Sequence, residues 1–230
     1  MNKQKNKIIV AILALIILGG AGIVWQIKRA TPNQGAVLLN KSRNLTSDQS
    51  KFYTERISKA EEYIKTLDPA DQNYNQNLLN TYIYIAQQYF GLGELQKSKE
   101  WYEKAVIIKP EEPQSYVGLA SVFEDAGDFN AQLSALQKAV DTAPSNSDIW
   151  IRLLNFKKQH GASVVEMNEL YNTALEKTQR HIDILVASAT YFGQNGNVEG
   201  AIKLWQEAMV KNPSGNSLYQ VEIDKYKSTK

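Results

Sequence analysis

Residues 93–110 read GELQKSKEWYEKAVIIKP, and stretches of the same length and pattern occur twice more along the chain. Residues 127–144 read GDFNAQLSALQKAVDTAP, and residues 196–213 read GNVEGAIKLWQEAMVKNP. Each stretch begins with Gly, has an apolar third residue and an Ala at its thirteenth position, and ends with Pro. Recurrence at a fixed spacing is the sequence signature of a repeat architecture, so these stretches decide the fold class.

The repeat spacing is 34 residues, since Pro110 and Pro144 lie 34 positions apart, as do Gly93 and Gly127. Pro213 follows Pro144 by 69 positions, which leaves room for one further unit with a one-residue insertion in its second half. We therefore expect four units, at residues 79–112, 113–146, 147–181 and 182–215.

Each unit is predicted to be a pair of helices joined by a short turn. In the first unit, apolar residues recur at i, i+3, i+4 and i+7, which is one face of a helix, and Gly-Leu-Gly at 91–93 interrupts the pattern. A second apolar stripe follows and ends at Pro110, because proline has no backbone N–H to donate. The two stripes consist of Tyr82, Ile85, Ala86 and Tyr89, and of Leu95, Ser98, Tyr102, Ala105 and Val106.

The pattern resembles the tetratricopeptide repeat, a 34-residue helix-turn-helix unit with aromatic, Leu-Gly, Tyr, Ala and Pro residues at fixed positions. The first and fourth units fit it well. The second unit has Gln132 at a position usually held by a small residue. The third has Lys157 in place of an aromatic residue, and Gln179 or Arg180 in place of the final proline.

The resemblance implies an all-α fold, a right-handed superhelical stack of about four helix-turn-helix units. Amphipathic segments at 47–67 and 216–227 are expected to form flanking helices, of which the second is a polar cap. The repeat domain would then occupy residues 47–230.

A run of 20 uncharged residues, IIVAILALIILGGAGIVWQI, occupies positions 8–27. A helix of about 20 apolar residues is long enough to cross the hydrocarbon layer of a membrane. We therefore expect residues 1–29 to form a cytoplasmic tail and a transmembrane signal anchor, making a single-pass membrane protein, and residues 30–46 to form a polar linker. The alternative is a signal peptide that is cleaved at the small residues Gly19 to Ala21, which would release a secreted protein.

The basic residues are distributed unevenly. Five of the 26 basic residues precede position 30, where there is no acidic residue. The rest of the chain has 21 basic and all 24 acidic residues, so it carries a net negative charge. A nucleic-acid-binding protein concentrates positive charge on its folded part, so that class is excluded. Three lysines precede the apolar run and two basic residues directly follow it, which favours a cytoplasmic N-terminus with the repeats outside.

No catalytic pattern is present in the sequence. The chain has no cysteine, and its two histidines, His160 and His181, lack the His-Glu-x-x-His spacing of a metal site. We expect no catalytic residue, no metal and no cofactor.

In proteins of the family that the chain resembles, the first helices of the units line a concave surface that holds a segment of another protein. The resemblance therefore implies a protein or peptide partner, and the expected groove is a mixed apolar and polar strip. Its predicted lining residues are Asn80, Ile83, Gln87, Phe90, Val117, Ser121, Glu124, Ile151, Arg152, Asn155, Lys158, Asp183, Val186 and Thr190.

Two functions remain open at this point. One is a membrane-anchored adaptor or scaffold that binds a protein segment in this groove without catalysis. The other is a structural or ancillary subunit of an envelope assembly, secretion or chaperone complex, which would associate through its end helices and could form a homo-oligomer.

Overall fold

The computed structural model describes residues 40–228. The predicted membrane anchor at 8–27 and most of the predicted linker lie outside the described residues. Over the range 40–228, no helix is both long enough and apolar enough to cross a membrane. This range contains ten α-helices and one short 3₁₀ turn, Pro213–Gly215, and it contains no β-strand.

The helices follow one another with short turns between them. They are α1 (Ser47–Thr66), α2 (Tyr74–Leu92), α3 (Leu95–Ile108), α4 (Pro113–Ala126), α5 (Phe129–Thr142), α6 (Ser147–Gln159), α7 (Val164–Lys177), α8 (Ile182–Gln194), α9 (Val198–Lys211) and α10 (Asn216–Ser228).

Helices that are neighbours in the chain pack on each other, which gives four pairs: α2–α3, α4–α5, α6–α7 and α8–α9. Helix α1 packs against the first pair and α10 against the last, so the predicted all-α repeat stack is confirmed. The third pair, α6–α7, is packed less extensively than the other three. Its unit is also the one that departs most from the repeat pattern in sequence.

The turn glycines explain why each repeated stretch begins with Gly. Gly93, Gly127, Gly161 and Gly196 have φ values of 79°, 72°, 77° and 86°, in the left-handed region. A residue with a Cβ adopts this conformation only with strain, so glycine is preferred where a helix ends and the chain reverses.

The alanine shared by the units lies where the two helices of a pair approach each other. Ala105, Ala139, Ala174 and Ala208 have no exposed surface. A small side chain allows close packing there, and larger residues such as Leu95, Leu136 and Trp205 fill the remaining space.

The third unit ends without a proline. Gln179 and Arg180 both adopt left-handed backbone conformations, with φ values of 52° and 57°. The Lys211 ammonium donates hydrogen bonds to both of their carbonyl oxygens, at 3.1 and 2.9 Å, and Arg180 pairs with Glu207. Contacts from α9 therefore fix the turn that contains the extra residue.

Helix α1 begins with a capping box. The Gln49 N–H donates to the Thr46 hydroxyl at 3.2 Å, and the Thr46 N–H donates to the Gln49 side chain at 2.9 Å. Before this cap, residues 40–46 form no helix or strand, but they contact the repeats. The sequence did not predict that the end of the linker would be docked in this way.

Candidate functional site

The first helices of the four pairs, α2, α4, α6 and α8, are called the inner helices here. Helix α2 packs on α4, and α6 packs on α8, whereas α4 and α6 make little contact with each other. A cleft of about 190 Å³ lies between α4 and α6, with α5 contributing to its wall. We call it the α4–α6 cleft.

The α4–α6 cleft brings together four of the predicted groove residues. Ser121 and Glu124 come from α4, and Arg152 and Asn155 come from α6. Ser121 and Asn155 lie one repeat apart at equivalent positions on the inner helices, whereas the equivalents of Glu124 and Arg152 are Lys158 and Gly118. The remaining lining residues are Ala120, Gln132, Leu136, Phe156 and Gln159.

The cleft contains polar groups with unused hydrogen-bonding capacity. Gln132 is only 7% exposed, and its Oε1 accepts no hydrogen bond from any described residue. Such a buried, unpaired acceptor costs roughly 1–3 kcal/mol. Neither Glu124 nor Arg152 forms an ion pair with a described residue, although both line the same cleft. The cleft thus presents a carboxylate and a guanidinium to a ligand, whereas the Gln132 Oε1 is itself buried.

A second, more open cleft of about 450 Å³ lies between α1 and α2. Of the predicted groove residues it includes only Asn80. Arg56, Lys59 and Tyr63 line it from α1, and Tyr84 lies on the α2 side. Sequence reasoning missed these residues because α1 is not part of a repeat. The available signal was the i, i+3, i+7 spacing of Arg56, Lys59 and Tyr63 on one face of a helix.

Two predicted groove residues are already engaged in contacts within the chain. Ile83 is only 9% exposed. The reason is that α2 packs against α1, α3 and α4 together. Phe90 is half-buried, and the Arg43 guanidinium lies 4.7 Å from the centroid of its ring.

The other predicted groove residues lie on the inner helices but outside the α4–α6 cleft. Gln87, Lys158 and Asp183 are exposed. Four are half-buried, namely Val117, Ile151, Val186 and Thr190. The Thr190 hydroxyl donates to the Val186 carbonyl at 2.8 Å and so is already paired within α8.

Comparison with known sequences identifies the repeats. A family model described as tetratricopeptide repeat matches residues 79–112 and 113–146, the first two predicted units with the same boundaries. The interferon-induced protein with tetratricopeptide repeats 3 of Mus musculus is 26% identical over 138 residues, which cover 59% of this chain and 34% of that protein. A TPR repeat-containing protein of Methanocaldococcus jannaschii is 25% identical over 179 residues, 73% of this chain and 31% of that protein. The chain spans about a third of the length of these relatives.

Comparison with solved structures agrees. The crystal structure of MamA aligns with a TM-score of 0.52 and 17% identity, over 78% of this chain and 99% of MamA. This likeness shows the fold. Residues 79–146 therefore match the tetratricopeptide repeat, and the described residues share the helical fold of MamA.

Proposed function

We propose that the protein is a membrane-anchored adaptor that binds a segment of another protein in the α4–α6 cleft and carries no reaction of its own. Stacked helical repeats form extended binding surfaces, which is the general use of this architecture. The observation that carries the proposal is the set of polar side chains, Ser121, Glu124, Arg152 and Asn155, that two neighbouring units present in one cleft.

The chemistry of the cleft suits a peptide segment. A peptide offers N–H donors for the Glu124 carboxylate and carbonyl acceptors for the Arg152 guanidinium. Leu136 and Phe156 line the cleft but are only 2% and 6% exposed, so they close its floor. A volume of about 190 Å³ is smaller than the ~300–1,000 Å³ typical of small-molecule sites. The cleft would accordingly take one anchoring residue while the rest of the segment lies along the inner helices.

The membrane part of the proposal depends on the uncharged run at 8–27 and its flanking lysines. A helix there would hold the repeats at the membrane surface. The charge distribution favours a cytoplasmic N-terminus, which would place the repeats outside the cytoplasm.

The test is partner capture by the full-length protein from its native membrane. Arg152→Glu reverses the charge of this side chain in the cleft and should abolish capture of a specific partner. Lys138→Glu is the matched control, because Lys138 is exposed on α5 and lies outside the cleft. Equal capture by wild type and by Arg152→Glu would refute the cleft as the binding site.

A second function is favoured by a separate observation on the end helices. Phe52 and Tyr63 on α1 are 51% and 47% exposed, and Leu218 and Val221 on α10 are 62% and 53% exposed. Exposed apolar side chains also occur within the repeats, where Val165 and Val210 are 68% and 81% exposed, but those at both ends would suit a structural subunit that stacks end to end in an envelope, secretion or chaperone complex. Particle size in mild detergent separates the two functions: a monomer supports the adaptor, and an oligomer that Leu218→Ser disrupts supports the subunit.

A further inference from the structure

The chain just before α1 is docked on the first two repeats. The Lys41 N–H donates to the Gly93 carbonyl at 2.8 Å. The Lys41 ammonium lies 2.6 Å from one oxygen of the Asp125 carboxylate, and Arg43 forms an ion pair with the other. Arg43 also donates to the Phe90 carbonyl at 3.2 Å and lies over the Phe90 ring. One short segment thus forms a backbone hydrogen bond, two ion pairs and a cation–π contact with the same site.

The turn that receives this segment differs from the three equivalent turns. A Cβ built on Gly93 would lie 1.8 Å from the Lys41 carbonyl oxygen, so the segment packs directly against the glycine. At Gly127, Gly161 and Gly196, which have the same left-handed conformation, nothing lies within 4 Å of such a Cβ. The contact is therefore a property of this turn and is not common to the repeat.

The carboxylate that holds the segment is also confined to one unit. At the positions equivalent to Asp125, the other units have Gly91, Gln159 and Gln194. Burial alone would raise the pKa of the Asp125 carboxyl, but hydrogen bonds and charge from Lys41 and Arg43 outweigh burial and hold the pKa below its usual value. The carboxylate is thus ionised at neutral pH, where it attracts both cations.

We propose that Phe90, Gly93 and Asp125 form a recognition site for a segment of the sequence Lys-x-Arg, and that residues 41–43 are its resident ligand. The site selects a basic segment through the two acceptor oxygens of Asp125, and the hydrogen bond from the Lys41 N–H to the Gly93 carbonyl fixes the position of its backbone. It adjoins Glu124 of the α4–α6 cleft, but it stands whether or not that cleft binds a partner.

The test is limited digestion of the full-length protein with trypsin in mild detergent. Trypsin cuts after Lys and Arg, and a docked Arg43 side chain cannot enter the protease. Cleavage after Arg43 should be much slower in the wild type than in a free synthetic peptide of residues 38–48. Asp125→Asn should accelerate this cleavage about tenfold, since it removes charged hydrogen bonds from both Lys41 and Arg43. Asp141→Asn, the same change at an exposed carboxylate on α5, should leave the rate unchanged.

A pair of glycine variants isolates the contact at the turn. Gly93→Ala and Gly161→Ala impose similar backbone strain, but only the first displaces Lys41. Only Gly93→Ala should accelerate cleavage after Arg43. Cleavage after Lys138, inside α5, reports unfolding of the repeats in the same digest. Equal rates for wild type and Asp125→Asn, or a wild-type rate equal to that of the free peptide, would overturn the proposal. If protection of the bond after Arg43 weakened on dilution of the protein, a second copy of the chain would be supplying the segment. That result would also contradict the proposal.

Discussion

Replacing Gly118 by Ala should destabilise the protein, although alanine favours helix formation. Gly118 is buried in α4 and faces Tyr102 of α3, the outer helix of the preceding unit. A Cβ at position 118 would lie 2.1 Å from the Cζ atom of Tyr102 and 2.2 Å from its Cε1. Tyr102 is only 5% exposed, so its ring has little room to move.

The two opposing effects can be compared. Helix propensity alone predicts that Gly→Ala inside a helix raises the free energy of unfolding by about 0.5–1 kcal/mol. An added methyl group in a packed core costs about 1–3 kcal/mol. The clash is severe because the neighbouring atoms belong to a buried ring. We therefore expect Gly118→Ala to lower the free energy of unfolding by about 1–2 kcal/mol.

The assay is urea unfolding followed by circular dichroism, with the full chain in mild detergent. Ser134→Ala is the control for propensity, since Ser134 is exposed on α5, and it should be neutral or slightly stabilising. In a Tyr102→Leu background the ring is absent, so Gly118→Ala should cost much less. A Gly118→Ala variant that is more stable than the wild type would refute the packing argument.

Three further predictions follow from charged and titratable groups. Burial raises the pKa of the Tyr102 hydroxyl to about 12. The buried, neutral hydroxyl therefore contributes its full stabilisation below the pKa of the unfolded chain, near 10, and this contribution is lost as the pH rises toward 12. The free energy of unfolding should therefore fall less between pH 9 and pH 11 in Tyr102→Phe than in the wild type, and equal slopes would contradict this assignment. Because the pKa of Asp125 is lowered, its contribution is present above the unfolded pKa near 4 and is lost as the pH falls through the folded value. The difference in melting temperature between wild type and Asp125→Asn should shrink as the pH falls below the unfolded pKa, and a difference that does not change with pH would point to another cause. Glu207→Gln removes the exposed ion pair with Arg180. It should lower the free energy of unfolding in urea by about 0.5–1 kcal/mol at low salt and by less at high salt. A loss that does not depend on salt would show that the charges are not responsible.

The helix pairs could be predicted from the sequence because their determinants are local and repeat. Gly at the turn, Ala where the two helices approach each other and Pro at the end each meet a structural requirement within a single unit. In the structure, Ala105, Ala139 and Ala208 have no exposed surface. The turn at Gln179 and Arg180 could not be predicted in detail. Its conformation is fixed by contacts with Glu207 and Lys211, which are about 30 residues away in the sequence. The repeat pattern gives no indication of these contacts.

The candidate site was predictable to the extent that it depends on repeat position. Ser121 and Asn155 occupy equivalent positions in neighbouring units, so repeat spacing predicts that both lie on the same side of the inner helices, whereas Glu124 and Arg152 have no such equivalence. Ile83 is equivalent to Val117 and Ile151, but the packing of α1 against α2 is peculiar to the end of the stack. Docking of residues 41–43 on Asp125 joins positions 84 and 82 residues apart, and no spacing rule anticipates such a contact.

The most direct test of the adaptor is photocrosslinking from inside the α4–α6 cleft in the native membrane. A photoreactive residue would replace Gln159 at the cleft and, in a second variant, Gln137 on the exposed side of α5. We expect position 159 to crosslink one specific partner protein and position 137 not to do so, and we expect Arg152→Glu to abolish the crosslink. Equal crosslinking from both positions, no crosslink from position 159, or a crosslink that survives Arg152→Glu would contradict the adaptor proposal.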